Sequence, residues 1–520
     1  MTGFESLLSV LLVAVILAAI ARRIGAPYPA FLAVGGAVLA FLPGAPRFSI
    51  DPGVALALFV APVLLDAAYD SSPRDLRDNW VAVTSLAVVS VVLTTVVVAV
   101  VARALVPAMP WAAAITLGAI VSPPDAAAAT AVLRQLRPPH RILTILEGES
   151  LLNDASALLI YRVAVGAVAM SSFSIWSLAP TLLLVVIGSI VVGPVLGWLV
   201  LWLTKNVRDA PTAIILQFIG AFGVWILADR LGLSSVLTMV VFAVFVARRA
   251  PERTPARLRL PAYAVWDTAV FLLNVLAFVF IGLQIRPILT GLEPDTRTRY
   301  FAVAGVVVAT VIVVRIVWVM THNAIAQWNI RRFGFHPRRP ISPPTFGGGL
   351  VISWSGMRGI ITLAAALALP ESAGAGGFPY RDLIILTSFA VVIGTLVLQG
   401  LTLGPLIRKL DLHDDDPVGR ETETARDRAL EAALATFAGD ASPAAEAVRQ
   451  EFGAHLSHAT SGSEASENRT ATHDEIHRRA LAAARRVAFD MRARDEIGDA
   501  AFHRLEEEFD WVEMGSGKPG

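Results

Sequence analysis

The first 410 residues consist largely of apolar runs, and their length limits the fold more than any other feature. Roughly 20 apolar residues cross the hydrocarbon of a bilayer as a helix. Such runs fall at 4–21, 28–42, 50–69, 80–104, 109–131, 141–170, 176–203, 211–230, 233–250, 266–285, 299–322, 346–370 and 382–407. The expectation is an all-α polytopic membrane protein of about 13 spans. The second span is short and rich in Gly and Pro, and the eighth is divided from the ninth only at Asp229-Arg230. Charged residues make up 16% of the 520, whereas a soluble domain carries about 25%. Cysteine is absent, which excludes disulfides, thiol chemistry and cysteine metal sites. The net charge of +1 says nothing about partners; the bilayer is one, and no nucleic acid is expected. Glu5 precedes the first run and Arg22-Arg23 follow it. That is the reverse of a signal peptide, so this run reads as a retained first span.

Lys and Arg in alternate loops orient the chain. About 20 fall on one side, from Arg22 and Arg23 to Arg408 and Lys409, and about 7 on the other, including Arg47, Arg103 and Arg381. The positive-inside rule then puts the N-terminus outside and the C-terminus in the cytoplasm, which agrees with an odd number of spans. Residues 1–410 form the membrane domain. Residues 411–520 are charged and alanine-rich and read as a cytoplasmic helical tail. Thr472 and Glu475 have capping-box spacing there. Six of the nine histidines lie in this tail, where a solvated helical tail and a pH- or ligand-sensing role are both open.

Polar residues inside the spans carry the chemistry. Leu146–Ile160 contains Glu147, Glu149, Ser150, Asn153 and Asp154 within an apolar run. At roughly 100° per residue, Ser150 and Asp154 stack on one helix face, and Glu149 and Asn153 on the neighbouring row. Two polar rows need two sets of partners. A carboxylate in hydrocarbon costs about 2.5–3.5 kcal/mol even on the lenient scale, so Asp154 is expected to serve an ion or a proton. In the fifth span, Ser122-Pro123-Pro124 precedes Asp125. Two prolines remove two donors, and a break there would set free carbonyls beside Asp125; a simple kink is the alternative. In the twelfth span, Ser353 to Gly359 includes Gly356-Met357-Arg358-Gly359. Paired interrupted spans mark substrate sites in transporters, although a close-packing glycine pair would look the same. No residue-level repeat joins the halves, so this symmetry rests on spacing alone. Arg315 lies centrally in the eleventh span and needs an acid or carbonyls at that depth. Arg162 either joins the buried charges or snorkels, and Asp66 either faces the cavity or lies at the interface. Counting Asp66, Asp125, Glu149 and Asp154 against Arg162, Arg315 and Arg358 leaves about one negative charge, which one monovalent cation or proton would neutralise.

Ser122-Pro123-Pro124-Asp125, Leu146-Glu147-Gly148-Glu149-Ser150-Leu151-Leu152-Asn153-Asp154-Ala155 and Gly356-Met357-Arg358-Gly359 together resemble the cation/proton antiporters of the NhaP/NHE type. The resemblance runs from about Leu7 to Lys409, and its Gly-Glu-Ser-Leu-Leu-Asn-Asp string is highly specific. It implies 13 helices with inverted repeats, two crossed broken helices at spans 5 and 12, a core domain and a dimerising domain, hence a homodimer. It implies that Asp154 carries ion and proton, that Asn153 is its structural neighbour, and that Asp125 is the broken-helix aspartate. Ser150 would be an ion-coordinating hydroxyl, Glu149 and Arg315 a buried salt bridge, and Arg358 a second required arginine. Asp66 stands where many members have glutamate. Many members have Thr-Asp-Pro where this chain has Pro124-Asp125-Ala126. The threonine ligand is therefore replaced, either by the Pro124 carbonyl or by Ser122.

The expected function is Na⁺/H⁺ antiport at the plasma membrane, serving sodium transport and pH homeostasis. Asp154, Asp125 and Ser150 would hold the transported Na⁺, and no other cofactor is expected. A proton on the shared carboxylate would compete with the ion, and Asn153 in place of a second aspartate resembles the electroneutral branch. K⁺/H⁺ or Li⁺/H⁺ exchange and an uncoupled cation channel are the alternatives. An enzyme is not expected: no serine–histidine or cysteine nucleophile set lies within the spans.

Overall fold

The computed structural model describes residues 3–23, 27–43, 51–136, 138–169, 175–253, 256–290, 294–334, 343–371 and 377–412. Every regular element among them is helical. In chain order these are α1 (Gly3–Arg23), α2 (Tyr28–Ala40), α3 (Pro52–Asp70), α4 (Pro73–Asp78), α5 (Trp80–Thr84), a π-helical segment (Ser85–Ser90), α6 (Val91–Leu105), α7 (Trp111–Val121), α8 (Ala126–Leu136) and α9 (His140–Ala169). There follow α10 (Ile175–Thr204), α11 (Ala210–Arg230), α12 (Ser235–Arg253), α13 (Ala256–Leu283), α14 (Ile285–Thr290), α15 (Pro294–Phe333), α16 (Phe346–Trp354), α17 (Ile360–Leu367) and α18 (Arg381–Leu410). Among the described residues, eight stretches are individually long and apolar enough to cross a membrane, beginning at Pro52, Trp80, His140, Leu183, Ala210, Pro261, Thr296 and Arg381. The other five expected spans coincide with α1, α2, α12 and the pairs α7–α8 and α16–α17. The tail expected over 411–520, with its histidines and capping box, lies outside the described residues beyond Leu412.

Two spans are interrupted for readable reasons. A single proline does not stop a helix here: Pro62 lies inside α3, Pro261 inside α13 and Pro405 inside α18. The consecutive Pro123 and Pro124 do stop one: Ser122 still has α-helical backbone angles, but two adjacent donors are then missing and the Pro124 ring disfavours the α region at Pro123. So α7 ends at Val121 and α8 starts at Ala126. In the twelfth span α16 ends at Trp354 and α17 starts at Ile360, with Gly356 and Gly359 between them.

The helices gather in two groups. In one, α6 packs on α7, α7 on α9 and α15 on α16 and α18. In the other, α10, α11 and α3 pack on α12, while α13 lies along α2. The α2–α13 approach is close enough that a Cβ on Gly36 or Gly282 would meet the facing backbone. This explains the glycine-rich second run. At one end α4 is tied to α9, since Arg141 Nε donates to Asn79 Oδ1 at 3.0 Å and His140 Nε2 lies 3.4 Å from Asp75 Oδ2.

The first group is pinned by one buried ion pair. Arg315 of α15 donates from Nη1 to Glu149 Oε1 at 2.6 Å and from Nη2 to Glu149 Oε2 at 2.9 Å. Both residues are 1% exposed. Arg315 Nη2 also donates to Ile352 O in α16 at 3.1 Å. Such a two-pronged pair fixes geometry as well as charge. Removing one partner strands the other, at about 3–5 kcal/mol, whereas removing both can be nearly neutral. Glu149→Gln and Arg315→Gln should each lower the melting temperature of the solubilised protein sharply, and the double change should recover much of the loss. A double-mutant cycle on thermal unfolding checks this; strictly additive losses would dissolve the pair.

Candidate functional site

Helix α9 distributes its polar residues by row. Glu149 and Asn153 are buried against the first helix group, Glu149 on Arg315 and Asn153 on the fifth-span interruption. Ser150 and Asp154 line a cavity on the adjoining face. Glu147, Ser150 or Leu151, and Asp154 recur at helical spacing, so one stripe of α9 forms a wall of that cavity.

The two interruptions lie against each other. The Asp125 backbone N–H donates to Met357 O at 2.7 Å. Arg358 donates from Nε to Val121 O at 3.0 Å and from Nη2 to Ser122 O at 3.1 Å, and Nη1 reaches Gly356 O. Its own N–H donates to Thr395 Oγ1 of α18 at 3.0 Å. Asn153 Nδ2 donates to Pro124 O at 2.8 Å. Five carbonyls at the interruptions, those of Val121, Ser122, Pro124, Gly356 and Met357, thus already accept from the protein. A carbonyl keeps a second lone pair, so Pro124, which lines the cavity, can still accept once more. Ser122 turns away: its Oγ donates to Ala119 O at 3.1 Å, and it is not among the cavity-lining residues. Of the two residues behind the replacements expected for the missing threonine, only Pro124 lines the cavity.

Asp125 sits ahead of the first turn of α8, where Oδ1 accepts from Ala127 N at 2.8 Å. An anion is favoured at a helix N-terminus. A Cβ on Gly359 would overlap the Asp125 carboxylate, and one on Gly356 would overlap the Arg315 side chain. The Gly-Met-Arg-Gly glycines are therefore places where charged side chains approach bare backbone, and Gly359 (φ −126°) is needed for space and not for its backbone conformation.

The cavity encloses about 530 Å³ between the two helix groups. It brings together Asp125, Asp154, Ser150, Pro124 and Asp66, and leaves Glu149, Arg315, Asn153 and Arg358 outside its lining. Three charged residues in its wall, Glu147, Asp267 and Arg22, are absent from the sequence-derived site. Helical spacing from Asp154 would have found Glu147. Asp267 and Arg22 stand at the ends of apolar runs, where charged residues are ordinary, and only the packing of α1 and α13 brings them here.

Arg162 corrects the charge count. Its Nη2 lies 3.2 Å from Asp229 Oδ1, with side-chain exposures of 47% and 64%, and its Nη1 donates to Leu233 O. It is a surface residue and drops out of the buried charges. Glu149 cancels Arg315, so without Arg162 the count is Asp66, Asp125 and Asp154 against Arg358, a surplus of two negative charges, of which one lies at the interruptions, where Asp125 and Asp154 stand against Arg358.

Comparison with known proteins identifies the family and the fold. Residues 9–409 match the family described as sodium/hydrogen exchanger, transmembrane. An uncharacterised Na⁺/H⁺ exchanger of Mycobacterium tuberculosis is 35% identical over 416 residues, covering 78% of this chain and 74% of the relative. A sodium, potassium, lithium and rubidium/H⁺ antiporter of Bacillus subtilis is 28% identical over 504 residues, covering 94% and 74%. The structure of the sodium proton antiporter of Methanocaldococcus jannaschii at pH 8 shares the fold, with a TM-score of 0.60 at 18% identity over 79% of this chain and 99% of that one. The chain belongs to the sodium/hydrogen exchanger family of membrane-spanning cation/proton antiporters.

Proposed function

We propose that this chain exchanges Na⁺ for H⁺, one for one, across the plasma membrane, with its N-terminus outside and its C-terminus in the cytoplasm, and that it works as a homodimer. The observation that carries the reading is the convergence of Asp125, Asp154 and Ser150 on one cavity where two helix interruptions meet. Their oxygens suit a hard cation. The surplus of one negative charge at the interruptions is what one Na⁺ or one H⁺ neutralises, so a proton on either carboxylate competes directly with the ion. The mouth residues Arg22 and Asp267 stand at ends of apolar runs that the Lys/Arg asymmetry assigns to the cytoplasm. Beyond the interruptions the packing is apolar, with Ile120, Val121, Ala366, Leu369 and Ile384 in one cluster. This supports a cytoplasm-facing state, in which alternating access requires one helix group to move against the other. Exchange of K⁺ or Li⁺ is a second reading, favoured by the broad cation range in the name of the Bacillus subtilis relative.

Asp154→Asn keeps the shape of the side chain and cannot cycle a proton. In proteoliposomes with a trapped pH dye, Na⁺-driven H⁺ flux should fall to background while the melting curve stays near wild type; normal flux would remove Asp154 from the shared role. Asp125→Asn should raise the apparent KM for Na⁺ more than about tenfold, equivalent to about 1.4 kcal/mol of ion binding, and an unchanged KM would count against it. Gly359→Ala should displace the Asp125 carboxylate, destabilise the protein by about 1–3 kcal/mol and lower flux; a fully active, equally stable variant would refute the close approach. Clamping the membrane potential with valinomycin and K⁺ should leave the Na⁺-driven flux unaltered, and a rate that follows voltage would rule out one-for-one exchange.

A further inference from the structure

Five acidic residues line the cavity: Asp66, Asp125, Glu147, Asp154 and Asp267. Arg22 is the one basic residue among the described lining residues. It belongs to the exposed last turn of α1, and its guanidinium carbon lies 4.5 Å from the centre of the Phe271 ring, itself part of the wall. Phe271 is braced by Tyr28, another wall residue, at 5.9 Å between ring centres. The face of an aromatic ring attracts a cation, so this perch keeps the charge of Arg22 beside the entrance. A fixed positive charge there lowers the local concentration of any mobile cation.

We propose that Arg22, held on Phe271, is a built-in counter-ion of the cavity that sets its apparent affinity for monovalent cations. The inference rests on the cation/proton reading above and adds a residue to it. Arg22 ligates nothing; it acts through the potential at the mouth. One unit charge at about 10 Å, with the effective dielectric of about 20 found near a protein surface and the screening of about 0.1 M salt, changes cation occupancy about two- to fourfold. The effect is screened, because the Debye length falls from about 10 Å at 0.1 M salt to about 3 Å at 1 M.

The test uses the full-length protein with Arg22→Gln, Arg22→Met and Arg22→Lys. Methionine keeps an apolar stem against Phe271 without charge, which guards against a folding defect peculiar to glutamine. Two readouts are taken: the KM for Na⁺ in proteoliposome exchange, and the apparent Kd from the Na⁺-dependent rise in melting temperature of the solubilised protein. Ionic strength is held constant with N-methylglucamine chloride. Near 0.1 M, the Gln and Met variants should bind Na⁺ about two- to fourfold more tightly, with KM lowered alike and kcat not raised. The Lys variant should match wild type, and all differences should vanish near 1 M. Unchanged constants in both neutral variants, an equal change in the Lys variant, or a difference that persists near 1 M would each overturn the proposal. A wild-type protein with no Na⁺-driven H⁺ flux would instead overturn the exchange reading, and the melting shifts would still report on Arg22. No Na⁺ effect on either readout would overturn both.

Discussion

Every backbone polar group freed inside an apolar bundle must find a partner, and the structure depends on how that demand is met at the two interruptions. Pro123-Pro124 and Gly356 to Gly359 open two helices at one level, and each opening supplies what the other lacks. The Asp125 N–H goes to the Met357 carbonyl. The Val121 and Ser122 carbonyls at the end of α7 go to Arg358, from the other interruption. The placement of charge follows the helix ends. Arg358 lies at the C-terminal, negative end of α7, and Asp125 at the N-terminal, positive end of α8. Both charges are favoured by dipoles that exist only because the span is broken.

Helix α9 joins this arrangement to the rest of the bundle because it is not broken. Its 30 residues run from His140 to Ala169, so the rows at Glu149 and Asn153 and at Ser150 and Asp154 keep a fixed angle. Asn153 reaches the first interruption through Pro124 O, while Glu149 takes Arg315, whose second nitrogen reaches Ile352 O just before α16 ends. Gly356 lies against the Arg315 side chain. A shift of Arg315 would therefore be felt at the second interruption, and a shift of α9 at the first. In this sense the buried ion pair is part of the support of Asp154 without touching it.

Much of this was legible in the chain. Apolar runs located the helices, adjacent prolines and clustered glycines located the breaks, and the 3.6-residue period separated the two rows of α9. Those signals are local, and local physics decides them. What the sequence left open was long-range. Arg162 could be buried or exposed until Asp229, 67 residues away, took it to the surface. Ser122 and the Pro124 carbonyl were equal candidates until the turn of Ser122 toward Ala119 removed one of them. Arg22 and Asp267 look like ordinary interfacial charges until α1 and α13 are packed. The π-helical segment Ser85–Ser90 carries no composition that distinguishes it from the α-helix around it, yet Ser85 O accepts from Trp318 Nε1 at 3.3 Å, a bond between the fourth and eleventh expected spans.

The way the carbonyls are used bears on selectivity under the proposed exchange. A cation site built from many fixed carbonyls could select by size, because its oxygens are held at set distances and do not titrate. Here the carbonyls of Val121, Ser122, Pro124, Gly356 and Met357 already accept from Arg358, Asn153 and Asp125, and of these residues only Pro124 lines the cavity, so the Asp125 and Asp154 carboxylates and the Ser150 hydroxyl would supply most of the adaptable oxygens. Carboxylates on side chains adjust to ions of different radius, so discrimination among Na⁺, K⁺ and Li⁺ by such a site would be weak. The same carboxylates are the groups that a proton neutralises. Under that reading, tying the backbone to itself would reduce size selection and strengthen competition between ion and proton: with one surplus negative charge at the interruptions, a bound cation and a bound proton would each remove the reason for the other to stay. Coupling would then come from charge balance at the meeting of the interruptions, and cation preference from the potential and shape of the path leading to it.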